Sequence, residues 1–284
     1  MGLKEQAMLV GLMLLTLGCG TQLAPATPPA STQAAPSASP SVTSATELVV
    51  VGLGDSIGAQ PGPECPGCTP FVDRYADALA AETGASVSVR NMGRPGLRVE
   101  QLLRDLETNT AVTNAVSSAD AIIVAVGTSD TPWGVTDDPC DGPATGVEPV
   151  PWEEYSDDCI AAHIARLRPM VDDIFTRIID LRSGAPTTLR TVNLYNDWIG
   201  FDAELPPAGV ETSIAYNSAW NTMWCESAAA NGFECGDVAT AFNGSDGRSA
   251  AGDLLADDYI HPSDNGHARI ATVLVDLGFA PLGD

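Results

Sequence analysis

From Leu48 to Leu53 every residue is apolar or glycine, with three consecutive valines, and the run stops at Gly54-Asp55-Ser56. A strand with one wet face alternates apolar and polar residues. A strand that does not alternate needs both faces covered, which is the situation of a central strand in a parallel sheet. The rest of the chain supplies the covering layers. Past the first strand, Glu47–Leu53, a helix is expected after Pro70, with Phe71, Tyr75, Leu79 and Ala80 near one face. A strand is read over Ala85–Asn91, helices over Val99–Thr108 and Val112–Ser118, and a second buried strand over Ala121–Val126. A loop rich in Gly, Pro and acid runs from Asp130 to about Pro151. A long helix is then expected over Trp152–Ser183, where Ile160, Ile164, Leu167, Val171, Ile174, Ile178 and Leu181 form one stripe. Pro169 lies inside it, so a kink or break is expected there, and Gly184 ends it. Strand Leu189–Leu194, helix Thr212–Ala230, strand Phe233–Val238 and helix Ser263–Leu277 complete the series. Alternating strands and helices specify an α/β fold, a parallel sheet between two helical layers.

The 284 residues suit one such domain of about 240 residues plus an N-terminal tail. Residues 1–18 read as a signal peptide: Lys4, an apolar stretch Ala7–Leu17 too short to span a bilayer, then Leu15-Thr16-Leu17-Gly18-Cys19. This ending resembles a bacterial lipoprotein signal that would free Cys19 for lipidation and anchor the protein to a membrane. Thr16 stands where such signals usually carry leucine, and ordinary secretion with cleavage near Ala24 or Ala30 is the alternative. Residues 19–46 are almost entirely small and polar, a spacer with little to bury. The domain occupies residues 47–284, outside the cytoplasm, whether anchored or secreted.

Seven cysteines become six once Cys19 is set aside, which in an exported chain reads as three disulfides. Fifteen pairings are possible for six cysteines. Neighbour pairing is favoured: Cys65–Cys68, Cys140–Cys159 and Cys225–Cys235, the last two each worth on the order of 3 kcal/mol. Cys65-Pro-Gly-Cys68 is alternatively a redox or half-zinc motif, although no second CxxC follows it. The net charge of −24 and the absence of a basic cluster exclude nucleic acid as a partner.

Three strand ends carry glycine-bearing loops: Gly54-Asp55-Ser56, Asn91-Met92-Gly93-Arg94-Pro95-Gly96 and Gly127-Thr128-Ser129-Asp130. In parallel sheets, sites form at the carboxyl ends of the strands. Asp258 stands three residues before His261-Pro262, ahead of the last helix. Serine, histidine and a carboxylate are the groups that make a hydroxyl nucleophilic. Of the three histidines, His163 is expected to be half-buried beside the long helix's stripe and His267 structural. A metal site from Asp257, Asp258, His261 and His267 has no diagnostic spacing, and none is expected.

This ordered set of four blocks resembles the SGNH/GDSL hydrolases over about residues 47 to 280. The resemblance implies a flavodoxin-like five-stranded parallel sheet and an esterase or lipase chemistry that needs no cofactor. It implies Ser56 as nucleophile, His261 as base and Asp258 as the group orienting His261. The backbone N–H groups of Ser56 and Gly96 would serve the oxyanion hole. Exported actinobacterial members with three disulfides look most similar. One block departs: the family has asparagine where this chain has Ser129, so the third oxyanion donor is a shorter hydroxyl. The expected activity is hydrolysis of a small-molecule, glycan or lipid ester by a monomer. The alternatives are a degenerate domain that binds cell-surface carbohydrate, and an acyltransferase acting on envelope glycans. Trp133 and Trp152 flank the loop after the third block and are candidates to line the pocket. Asp137, Asp138, Asp141 and Glu148 in that loop are a solvated acidic stretch or a calcium site.

Overall fold

The computed structural model describes residues 47–59, 62–131, 152–200 and 205–283. Residues 1–46, with the expected signal segment, spacer and Cys19, lie outside these, as do Trp133, Cys140 and the acidic residues of the loop before Trp152. Five strands, β1 (Glu47–Gly54), β2 (Ser86–Asn91), β3 (Ala121–Ala125), β4 (Thr188–Val192) and β5 (Glu234–Gly236), form one sheet in the order β2-β1-β3-β4-β5. Every pairing is parallel. With the seven helices of the described residues on its two faces, this is the three-layer α/β/α arrangement expected from the alternation.

Period-two alternation explains how β1 can be apolar throughout. Val51 and Leu53 point into one core, where Leu102, Leu106, Ile174, Phe175, Trp220 and Trp224 pack. Leu48 and Val50 point into the other, with Phe71, Tyr75, Leu79, Phe242, Ile270 and Leu274. The first core is covered by α2 (Val99–Thr108), α3 (Thr110–Ser117), α4 (Asp157–Arg182) and α5 (Pro207–Ala230); the second by α1 (Phe71–Thr83), α6 (Val238–Asn243) and α7 (Asp264–Asp276). Ile122 and Val124 join the first side, Ala121, Ile123 and Ala125 the second. The sheet is thus dry on both faces, and the polar groups of a site are left to its edges.

Several boundaries differ from the sequence reading, each for a local reason. The long helix begins at Asp157, not Trp152, because Ser156 caps it, its side chain accepting from the Cys159 N–H at 3.2 Å. Trp152–Glu154 is a separate 3-10 turn. The helix runs through Pro169 without a break. Pro169 and Ala165, whose carbonyl loses its partner, are both exposed, so water can satisfy that carbonyl. Helix α5 starts at Pro207, five residues before the expected Thr212, with proline in its first turn. The last strand ends at Gly236, because the Asp237 side chain caps α6 by accepting from the Thr240 N–H at 3.1 Å. That short helix was not expected.

Two of the neighbour disulfides are present, Cys65–Cys68 and Cys225–Cys235, with Cα atoms 5.6 and 5.5 Å apart. The third pairing involves Cys140, outside the described residues.

Candidate active site

Strands β1 and β3 end side by side, with Gly54 opposite Ala125. Gly54 has φ 150°, and a Cβ there would lie 1.7 Å from the Ala125 carbonyl oxygen, so only glycine lets the two strands close at this point. The chain then turns, the Asp55 N–H donating to Ala125 O at 3.0 Å. The Asp55 carboxylate is fully buried and accepts from the backbone N–H groups of Ile57, Gly127 and Thr128, each at 3.0 Å. Burial pushes its pKa up to about 6, against the lowering effect of those three donors. Asp55 thus ties the first loop to the third and leaves the half-buried Ser56 at the rim of the sheet.

The second and third loops are locked in the same manner. The Asn91 side chain donates to Gly58 O at 2.8 Å and accepts from the Gly93 N–H at 3.0 Å. Gly127 has φ 135°, and a Cβ there would meet the Trp220 ring at 2.2 Å. Asp130, buried, accepts from the N–H of Val99 at 3.0 Å, satisfying an orphan donor at the start of α2. Burial raises its pKa to about 7; the Val99 bond opposes this and Asp55 adds to it. His163 and Tyr216 contact the Asp130 carbonyl oxygen at 2.7 and 3.3 Å. His163 is fully buried, not half-buried as expected, because both its ring nitrogens find partners: Asp130 O and, at 3.4 Å, the Arg166 guanidinium.

The fourth block folds as a turn around one carboxylate. Asp258 Oδ1 accepts from the N–H groups of Ile260 and His261 at 3.1 and 3.0 Å, and Oδ2 contacts His261 Nδ1 at 2.5 Å. Burial would raise the Asp258 pKa, but the His261 ring and the two backbone donors outweigh it and hold the group below its ordinary value. Tyr259, at φ 60°, makes the turn tight enough for this contact. The Tyr195 hydroxyl donates to Ile260 O at 2.7 Å, fastening the turn to the segment after β4. Tyr195 stacks on Phe242 with ring centroids 4.4 Å apart.

Ser56, Ser129, Trp152 and His261 line one cavity of about 190 Å³. Four of the sequence-selected positions therefore meet in one place. Gly96 is exposed and is not among the lining residues, and Trp133 is outside the described residues. No acceptor is found for the backbone N–H of Ser56 or of Gly96 among the described residues. His267 is buried against Phe71, and burial, aided by Arg74, lowers its pKa to about 4, so it stays neutral as a structural group. Among the described residues no three His, Cys, Asp or Glu side chains form a metal-holding cluster.

The family model for GDSL-like lipases and acylhydrolases matches residues 53–269. The chain belongs to that family. No curated protein matches it. Among solved structures, the lipase Lip_vut3 from a goat rumen metagenome is similar at 19% identity, with a TM-score of 0.63, covering 83% of this chain and 99% of the other. The extracellular lipase of Streptomyces rimosus is similar at 20% identity and a TM-score of 0.51, over 81% and 99% of the two chains. Axe2, an acetylxylan esterase from Geobacillus stearothermophilus, is similar at 19% identity and a TM-score of 0.50, over 82% and 94%. These likenesses establish the SGNH-type fold.

Family membership supports a hydrolase, and in this GDSL-like chain the sequence reading missed three residues of the site. Asp55 was read as part of a turn; nothing local shows that its carboxylate bridges to Gly127. Tyr195 and Asp197 follow β4, where the sequence carries no motif; both line the cavity with His261. Asp197 is half-buried, and burial raises its pKa to about 7, with Asp258 adding to the effect and its own backbone N–H and His261 opposing it. A signal was present in hindsight: an acid set among Tyr195, Asn196 and Trp198 at a strand's carboxyl end.

Proposed function

We propose that the protein is an exported serine hydrolase that cleaves carboxylic esters. The observation that carries the reading is the Asp258–His261 contact at 2.5 Å in a turn whose histidine lines the same cavity as Ser56. His261 Nδ1 donates to Asp258, which leaves Nε2 as the acceptor for the Ser56 proton. The hydroxyl oxygen attacks the ester carbonyl as its proton passes to Nε2, and the tetrahedral intermediate collapses to an acyl-enzyme on Ser56, its alkoxy group leaving as the alcohol with the proton that His261 returns. His261 then takes a proton from a water whose oxygen attacks the acyl carbonyl, and returns it to the Ser56 oxygen as the acyl–oxygen bond breaks and the acid leaves. Asp258 keeps the imidazole in the productive tautomer and stabilises it when charged. Of the expected oxyanion donors, the Ser56 N–H, for which no acceptor is found among the described residues, and the Ser129 hydroxyl belong to residues that line the cavity. No cofactor takes part in these steps. The pairs Cys65–Cys68 and Cys225–Cys235, at disulfide distance, support a location outside the cytoplasm, anchored through Cys19 or secreted.

The test is a p-nitrophenyl ester series on the chain from residue 45 onward, with Ser56→Ala alongside. The wild type is expected to turn over and to be labelled at Ser56 by a fluorophosphonate. The variant should lose both, with turnover down by about 10⁴-fold or more. Ser129 favours one second reading, a domain that binds surface carbohydrate without hydrolysis. Folded wild-type protein that neither labels nor turns over any ester in the series would select it.

A further inference from the structure

Asp197 is the one carboxylate lining the cavity, and the described residues leave it without a side-chain partner. Every other acid of the site is provided for. Asp55 has three backbone donors, Asp130 has the start of α2, and Asp258 has His261 and two N–H groups. Asp197 has only its own N–H. A half-buried carboxylate with no donor beyond its own N–H is costly, and natural structures seldom keep one without a use.

Its position is fixed even though its carboxylate is unused. On one side, Asn243 pairs with the backbone of Asn196 in both directions, accepting from its N–H at 2.7 Å and donating to its carbonyl at 3.0 Å. The Asn196 side chain accepts from the Trp198 N–H at 3.1 Å and donates to Ser213 Oγ at 3.1 Å. Residues 196 and 198 are thus both anchored, and residue 197 is presented between them. The other amides are consumed by the scaffold: Asn217 donates to Leu194 O at 3.0 Å and accepts from Asn221 at 3.0 Å. Part of the remaining wall is aromatic, with Trp152 packed edge-on against Trp198, the centroids 6.0 Å apart, and Leu194, Ile260 and the hydroxyls of Thr128 and Thr131 complete it. A rigidly held carboxylate, the one acidic side chain among aromatic, aliphatic and hydroxyl-bearing neighbours, is the arrangement that selects one polar group of a ligand.

Building on the hydrolase reading above, we infer that Asp197 is a specificity-determining residue. Its carboxylate accepts a hydrogen bond from a hydroxyl or ammonium group carried by the ester bound between Ser56 and His261. The favoured substrates are then esters that bear a hydrogen-bond donor a few bonds from the scissile carbonyl, and plain alkyl esters are poor ones.

Three esters of the acid preferred in the p-nitrophenyl series test this: the 2-hydroxyethyl, the protonated 2-(dimethylamino)ethyl and the near-isosteric propyl ester. The wild type should favour at least one of the first two over the propyl ester by about tenfold or more in kcat/KM. Which of the two is favoured identifies the donor as hydroxyl or ammonium. Asp197→Ala should bring the ratio close to one. Asp197→Asn, which keeps an acceptor oxygen and loses the charge, should retain part of a hydroxyl preference and none of an ammonium preference. Equal kcat/KM on all three esters in the wild type overturns the inference. So does a uniform loss on all three in Asp197→Ala, which would assign Asp197 to His261 and not to the substrate. Both outcomes leave the hydrolase reading standing. Absence of Ser56-dependent turnover on the p-nitrophenyl esters removes that reading itself, and the inference with it.

Discussion

The two arms of the cavity are held by different means. Ser56 stands on the ends of β1 and β3, where Gly54 lets the strands close and the buried Asp55 gathers three backbone N–H groups from two loops. His261 stands on an irregular turn, half-buried, shaped by the bonds of Asp258 within four residues and fastened at long range by the Tyr195 hydroxyl. The position of Ser56 is therefore a property of the sheet, and that of His261 is a property of one short segment. A carboxylate serves both arms, but Asp55 organises backbone and Asp258 organises a side chain.

Substitution should separate these two carboxylates. The largest effect is expected from Asp258→Asn. Its oxygen can still accept from Ile260 and His261, so the turn should survive with little change in Tm. It no longer fixes the imidazole tautomer, and kcat should fall by up to about 10⁴-fold on a p-nitrophenyl ester. Asp55→Ala should do the opposite first: it leaves buried donors at Ile57 and Gly127 without an acceptor and should cost about 3 kcal/mol, read in urea unfolding. Any loss of activity should follow the loss of the fold. Equal stability losses in the two variants would break the comparison.

A smaller effect sharpens it through pH. Asp55 and Asp130 are held at about 6 and about 7 from an ordinary 3.8, so over that interval the native protein keeps protons that the unfolded chain has released. Their contribution to stability therefore declines as pH rises from about 4 to 7. The depressed Asp258 acts in the opposite direction, adding stability above the ordinary carboxylate value and losing it in acid. Tm measured across this range should fall with rising pH, and Asp130→Asn, which still accepts from Val99, should flatten the slope. An unchanged slope would show that Asp130 does not hold its proton in the native protein.

Most of the fold was legible because burial leaves a local trace. The unbroken apolar run of β1 and the stripe of α4 follow from which faces must be dry, and five strands were found at their places. Boundaries were less legible because caps decide them: Ser156 and Asp237 stop or start elements through single hydrogen bonds that no periodicity reports. In the site, Ser56, Asp258 and His261 were legible because two of them are near neighbours and the third follows a buried strand. Asp55 was read only as a turn residue, since its partners Gly127 and Thr128 lie across the sheet. Tyr195 and Asp197 carried only the weak signal of an acid among aromatics at a strand's end, since what distinguishes them is proximity to a turn more than sixty positions later.

The sequence by itself determined a doubly covered parallel sheet, the serine at its rim and the acid–histidine turn, because each is written in a few adjacent residues. Only the tertiary structure decided which carboxylates are consumed by the scaffold and which one is left facing the cavity. Solvation and partnership depend on groups brought together from distant strands, and they have no counterpart in local sequence.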